Sequence, residues 1–269
     1  MASDTGQVSQ LHDKPTILII QGCFQRPVVY EALEHRLESL GYPTVHPPLP
    51  TCGDAQDPNF PSLTLLDDAT AVRNKLVQLV EFHQKTVMVV MHSYGGLVGS
   101  EAFPESMSHS KRRKDGLPGG VIHLFFVGAF LLDPGQSMLG TFGISPNDKI
   151  ERDDRYSIKN GSFILYNDLP LSEASKWENR LVPHSYEVQR TKLTRAAYNS
   201  IPSTYLICAS DQACLPNYQE MFASKAKSKV ERCTAGHSPM LSQLDMLVKK
   251  IEMALDKIVA VEESGRDNS

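Results

Sequence analysis

The chain has no long apolar run. Its first hydrophobic segment, Ile17 to Ile20, is far shorter than the roughly 20 residues a membrane helix needs, and the stretch before it, up to Lys14, is polar. Neither a signal peptide nor a membrane span is expected, so the protein is expected to be cytoplasmic, with no membrane partner. Positive charge is not in excess either. The 27 Lys and Arg against 31 Asp and Glu leave a net charge of -4, which gives no electrostatic ground for nucleic-acid binding. Five cysteines, Cys23, Cys52, Cys208, Cys214 and Cys233, are scattered and odd in number, with no CxxC pair, and HExxH is absent. Reduced thiols in an intracellular protein are the expectation, and no metal or cofactor motif is present. There is no internal repeat. What remains, 269 residues with 41 % hydrophobic and 22 % charged content, fits a single α/β domain of ordinary size with a core to match.

The most informative stretch runs from Thr86 to Gly96. A valine-rich run, Val87 to Met91, reads as a strand buried on both faces. It stops at His92-Ser93-Tyr94-Gly95-Gly96, and a helical pattern follows, expected from Gly95 to Met107. A serine at a strand tip with glycine two residues later fits a tight strand-to-helix turn that lifts Oγ toward the N-terminal end of the helix, where partial positive charge helps an oxyanion. A serine N-cap on an ordinary helix would look similar.

Other strands are expected at Pro15–Gln21, Thr44–His46, Val121–Val127, Ser203–Ala209 and Lys229–Cys233. Helices are expected after Pro27, with Leu33 and Leu37 inward, and behind Thr64, where Asp67 completes a capping box and Leu66, Ala69, Val72 and Leu76 recur at helical spacing. Ser108 to Gly120, with Lys111-Arg112-Arg113-Lys114, reads as a solvated connection. Alternating strands and helices imply a mostly parallel, doubly wound sheet. That rhythm stops between Asp133 and Ser200, an insertion with one clear helical pattern at Glu173–Leu181.

A serine nucleophile needs a base in reach and a third group to orient that base. Ser93, Asp211 and His237 all follow strands, and ligands of open α/β sheets sit at the carboxyl ends of strands. Singly, Asp211 could be a helix cap and His237 a loop histidine; together with Ser93, in the order Ser, acid, His, they match an α/β-hydrolase arrangement. Asp133 is a second acid candidate, but Pro134-Gly135 follows it at once, as in a turn. His92, next to Ser93, is read as structural.

Through Ile17-Leu-Ile-Ile-Gln-Gly-Cys-Phe24, His92-Ser-Tyr-Gly-Gly96, Ile201 to Ala213 with Pro216, and Gly236-His-Ser-Pro-Met-Leu241, the chain resembles the α/β-hydrolase fold superfamily. Within it the chain looks like the group of plant methyl-ester hydrolases and hydroxynitrile lyases, with their fungal and bacterial relatives. The resemblance implies an α/β-hydrolase fold with a helical cap, residues 133–200, inserted before the penultimate strand. It implies Ser93 as nucleophile, His237 as base, Asp211 as orienting acid, and the backbone N–H groups of Cys23 and Tyr94 as oxyanion hole. Phe24, Tyr166, Trp177 and Tyr198 are candidate substrate-binding residues. Two positions depart from the family pattern. Gln21-Gly22 stands where His-Gly is usual, which a backbone donor tolerates. Met91 stands where glycine is usual, and a large residue there could tilt the turn.

The expected function is a cofactor-free serine hydrolase acting on a carboxylic ester, lactone or thioester of a fairly apolar small molecule, as a monomer or homodimer. Two rivals share the fold: a lyase or cyclase using His237 as base without an acyl-enzyme, and a non-catalytic ligand-binding protein.

Overall fold

The computed structural model describes residues 14–266, with side chains through Asp256 in the last helix. Six strands form one parallel sheet: β1 (Thr16–Ile20), β2 (Thr44–Val45), β3 (Thr86–His92), β4 (Gly120–Val127), β8 (Ser203–Cys208) and β9 (Lys229–Cys233), in the order β2-β1-β3-β4-β8-β9. The β-branched runs alternate between two buried faces. Leu18, Ile20, Val89, Met91 and Phe126 join one core, with helices Leu65–Val77 and Gly95–Ala102. Ile17, Ile19, Met88, Val90 and Phe125 join the other, with helices Glu31–Ser39 and Leu244–Arg266. Both faces being covered is why these strands read as continuous apolar runs.

The Thr64/Asp67 capping box forms as expected, with Leu66 N–H on Thr64 Oγ1 at 3.2 Å and Thr64 N–H on Asp67 Oδ2 at 2.7 Å. In the helix behind it Ala69, Val72 and Leu76 are buried as expected, and only the first member of the stripe differs. Leu65 is buried and Leu66 exposed, because Leu65, Ala69, Val72 and Leu76 make the better i, i+4, i+7, i+11 stripe. The helix after Ser93 ends at Ala102, short of Met107, since Phe103 precedes Pro104 and is driven into an extended conformation (φ -106°, ψ 106°). The basic stretch is also more ordered than a solvated connection. His109–Lys114 is helical, and the buried Arg112 guanidinium donates to the Pro118 carbonyl at 3.0 Å.

The insertion between β4 and β8 carries the helix Leu171–Glu178, but it is not wholly helical. Its remaining strands, β5 (Asp148–Ile150), β6 (Arg155–Ile158) and β7 (His184–Ser185), pair into a small antiparallel sheet. Charged residues from Asp148 to Arg155 hide that sheet from a periodicity reading: in β5 and β6 only Tyr156 is fully buried. Among the described residues no helix is long and apolar enough to cross a membrane, and none of the His, Cys, Asp and Glu clusters could hold a metal ion.

Candidate active site

All six main-sheet strands run parallel, so their carboxyl ends share one edge. The chain leaves β1 outward to β2 and returns to β3 on the other side, which makes β1/β3 the switch point where a crevice opens. Ile20 lies beside Met91 in register, so Gln21–Phe24 and His92–Tyr94 emerge side by side. Ser93 sits in the left-handed region, φ +54°, and its N–H is held by the Val127 carbonyl at 3.1 Å. A non-glycine residue in that region is strained, and strain of this kind gathers at functional sites. The turn is tight because Gly95 packs on β1: a Cβ at Gly95 would lie 2.4 Å from the Ile20 carbonyl oxygen.

Beyond β8, Asp211 is fully buried. Its Oδ1 accepts from Ala213 N–H at 2.8 Å and Cys214 N–H at 2.9 Å, and its Oδ2 accepts from Gln219 Nε2 at 3.1 Å. His237, beyond β9, is also buried and places Nδ1 at 2.8 Å from Asp211 Oδ2. Since Oδ2 is an acceptor, Nδ1 carries the proton, which leaves Nε2 free to accept one. Ser93 and His237 line the same cavity; among the described residues no hydrogen bond joins their side chains. Cys23 and Tyr94 line the same cavity as Ser93, and among the described residues neither of their backbone N–H groups donates to a backbone acceptor. Asp133 is elsewhere: half-exposed, it pairs with Lys225 and lies 3.3 Å from the Tyr198 hydroxyl.

His92 is a strut. Its Nε2 is 2.7 Å from the His237 carbonyl, an acceptor, so Nε2 bears the hydrogen; its Nδ1 is 2.7 Å from the Tyr30 hydroxyl. Burial, and then the neighbouring His237, hold its pKa well below the ordinary histidine value. A neutral His92 thereby ties the His237 loop to Tyr30, which also accepts the Gly22 N–H at 2.9 Å.

The cavity holds about 360 Å³ and is walled largely by apolar side chains, among them Phe24, Leu97, Phe130, Met138 and Leu215. Of the four candidate substrate-binding residues, Phe24 lines it. The other three are off its wall. Tyr198 turns its hydroxyl to the Leu132 carbonyl (2.9 Å), Tyr166 is fully buried against Gln25 (3.3 Å), and Trp177 packs between the last-helix core and the insertion. Aromatics of the insertion thus pin it to the sheet. At the polar end of the cavity, beside the expected Cys23, stand Asp148, Tyr156 and Gln189, which escape sequence reasoning. The signal that could have found this end is the isolated aromatic in a charged run, Arg155-Tyr156-Ser157. Burial raises the Asp148 carboxyl to about 6.

Residues 17–249 match the model of a family described as the alpha/beta hydrolase family. The alpha/beta hydrolase nvfD of Aspergillus novofumigatus is 30 % identical over 259 residues, covering 92 % of this chain and 99 % of the relative. Crystal structures of polyneuridine aldehyde esterase and of the Arabidopsis methylesterase MES16 are similar in fold. The first has TM-score 0.69 and 16 % identity, covering 91 % of this chain and 99 % of that one. The second has TM-score 0.68 and 16 % identity, covering 90 % and 99 %.

Proposed function

The chain belongs to the alpha/beta hydrolase family, and on that premise we propose that it is a serine hydrolase cleaving a carboxylic ester, lactone or thioester of a fairly apolar small molecule. The observation that carries this reading is His237, buried and held 2.8 Å from Asp211, lining one cavity with a serine strained at φ +54°. Ser93 Oγ attacks the carbonyl carbon while His237 Nε2 takes its proton. The oxyanion rests on the N–H groups of Cys23 and Tyr94. Collapse of the tetrahedral species breaks the acyl–oxygen or acyl–sulfur bond, and His237 returns the proton to the leaving group. Water, deprotonated by the same imidazole, then releases the acid and restores Ser93. Asp211 keeps the Nδ1–H tautomer and stabilises the imidazolium.

Residues 133–200 act as a cap within this single domain. Met138, Phe142 and Ile158 from the insertion complete an apolar chamber over Ser93, which supports a neutral, apolar acyl or alcohol group. The test is intact mass after treatment with a fluorophosphonate. One adduct, mapping to Ser93, is expected. A folded protein that forms none would shift the reading to base catalysis without an acyl-enzyme.

A further inference from the structure

A second polar chain runs from the helix Leu65–Val77 to the cavity, and the triad does not use it. It starts at Asp68, fully buried in the helix Leu65–Val77. Asp68 accepts from Thr51 N–H at 3.0 Å, from the Thr51 hydroxyl, and from the Tyr94 hydroxyl at 2.8 Å. Burial lifts its carboxyl to about 6, against the pull of those three donors. The single hydroxyl proton of Thr51 goes to Asp68, so Thr51 Oγ1 is the acceptor toward His184 Nε2 at 2.8 Å. His184 is buried and stays neutral, its pKa pushed down to about 3. With the hydrogen on Nε2, its Nδ1 accepts from the Tyr156 hydroxyl at 3.3 Å. Every donor in the series therefore points away from the cavity, toward Asp68.

That direction decides what Tyr156 offers at the cavity wall. Its proton is spent on His184, so its oxygen presents acceptor capacity. Gln189 Nε2–H occupies one lone pair at 2.9 Å. The other side of the oxygen faces the Cys23 sulfur at 3.6 Å, a weak donor that burial keeps as a thiol. Tyr156, Gln189 and Cys23 all line the cavity. Cys23 also sets the distance scale. Its backbone N–H is the oxyanion donor of the proposed mechanism, and its side chain touches the Tyr156 hydroxyl. That second acceptor position, covered only by the weakly donating Cys23 thiol, is thus one short side chain away from the scissile carbonyl. Tyr94, the other oxyanion residue, is held by the same Asp68.

We propose that Tyr156 is a substrate-recognition residue whose oxygen accepts a hydrogen bond from a substrate hydroxyl two or three bonds from the scissile carbonyl, so that the preferred substrates are 2- or 3-hydroxyacyl esters. This rests on the hydrolase reading only for where the carbonyl sits. A buried network that merely anchored the insertion would not prefer a ligand hydroxyl, because nothing in that role touches the ligand.

The test uses the Ser93→Ala protein, which binds without turnover, and isothermal titration with matched esters: methyl mandelate against methyl phenylacetate, and methyl 3-hydroxyoctanoate against methyl octanoate. In at least one pair the hydroxy ester should bind about tenfold tighter, the worth of one well-made hydrogen bond. The matching methyl ether, which cannot donate, should bind like the deoxy ester. In Ser93→Ala with Tyr156→Phe the preference should shrink to about twofold or less. Equal affinities in both pairs, no binding at all, an ether that binds like the alcohol, or an undiminished preference in the folded phenylalanine variant would each overturn the inference. Should Tyr156→Phe fail to fold, the alcohol, ether and deoxy series decides it alone. Fluorophosphonate labelling of the wild-type protein judges the hydrolase reading separately, since these titrations need no nucleophile.

Discussion

Consider Asp211→Asn, a change of one atom. The asparagine carbonyl has only one place to go. Position Oδ1 receives two backbone N–H groups, from Ala213 and Cys214, at 2.8 and 2.9 Å, and an NH2 there would face two donors. The amide nitrogen must therefore take the Oδ2 position, against Gln219 Nε2 and His237 Nδ1. Gln219 cannot turn to relieve this, because its other contacts hold it: Oε1 accepts from Cys208 N–H at 2.9 Å and Nε2 donates to the Cys208 carbonyl. His237 can respond by moving its proton to Nε2, which makes Nδ1 an acceptor for the new NH2. That tautomer cannot take the Ser93 proton. The same atom change in another Ser-His-Asp enzyme lowers kcat about 10⁴-fold, or about 5 kcal/mol at the transition state. A loss of that order is expected here, measured as kcat on a p-nitrophenyl ester, with the fold retained. Asp133→Asn should cost less than about tenfold, since that half-exposed carboxylate pairs with Lys225. The reverse ranking, in folded variants, would refute both the tautomer argument and the choice of acid.

Three further outcomes follow from the packing. His123, in β4, is 8 % exposed, and its pKa is held at about 4, first by burial and then by Lys229. The unfolded chain, near 6.5, takes up this proton first, so stability falls as pH drops below 6.5 toward 4; between pH 7 and 5 this side chain alone should remove about 2 kcal/mol. His123→Gln should flatten the denaturant-measured pH profile by that amount, and an unchanged slope would count against a buried neutral imidazole. Trp177→Ala should lower the melting temperature without reordering an ester panel, because Trp177 lies off the cavity wall, between two core patches with Arg180 on its ring. Gly99→Ala should destabilise by about 1–3 kcal/mol, and Met91→Ala should offset part of that loss; strictly additive effects in a double-mutant cycle would mean the two do not touch.

The inner strands of the sheet were legible because they are buried on both faces: continuous runs such as Ile17–Ile20 and Val87–Met91 need no tertiary information. The order Ser93, Asp211, His237 was legible for a related reason. A parallel sheet brings the residues after its strands to one edge, whatever separates them along the chain. The insertion was not legible in this way. Its strands are two to four residues long and mostly solvated, so no period emerges. Its aromatics, Tyr166, Trp177 and Tyr198, look like pocket residues on composition alone, yet which side of a short element faces the cavity is set by packing. Tyr156 illustrates the limit. Its partners Thr51, Asp68 and His184 are spread from residue 51 to 184 and carry no spacing signature.

Met91 shows how a departure from a motif is accommodated. In a tight strand-to-helix turn the residue two before the serine is usually glycine, because the helix packs back over it. Met91 is fully buried, and Ser93 still keeps φ +54°. The side chain reaches across to the helix Gly95–Ala102, where Gly99 stands opposite; a Cβ at Gly99 would lie 2.2 Å from Met91 Sδ. The space that a glycine on the strand would leave is supplied by a glycine on the helix. A flexible, unbranched methionine suits such a gap better than a β-branched residue would. The turn therefore constrains the summed volume between strand and helix rather than the identity of one residue. A pattern that inspects only the strand side sees a defect where the packing has a compensated pair.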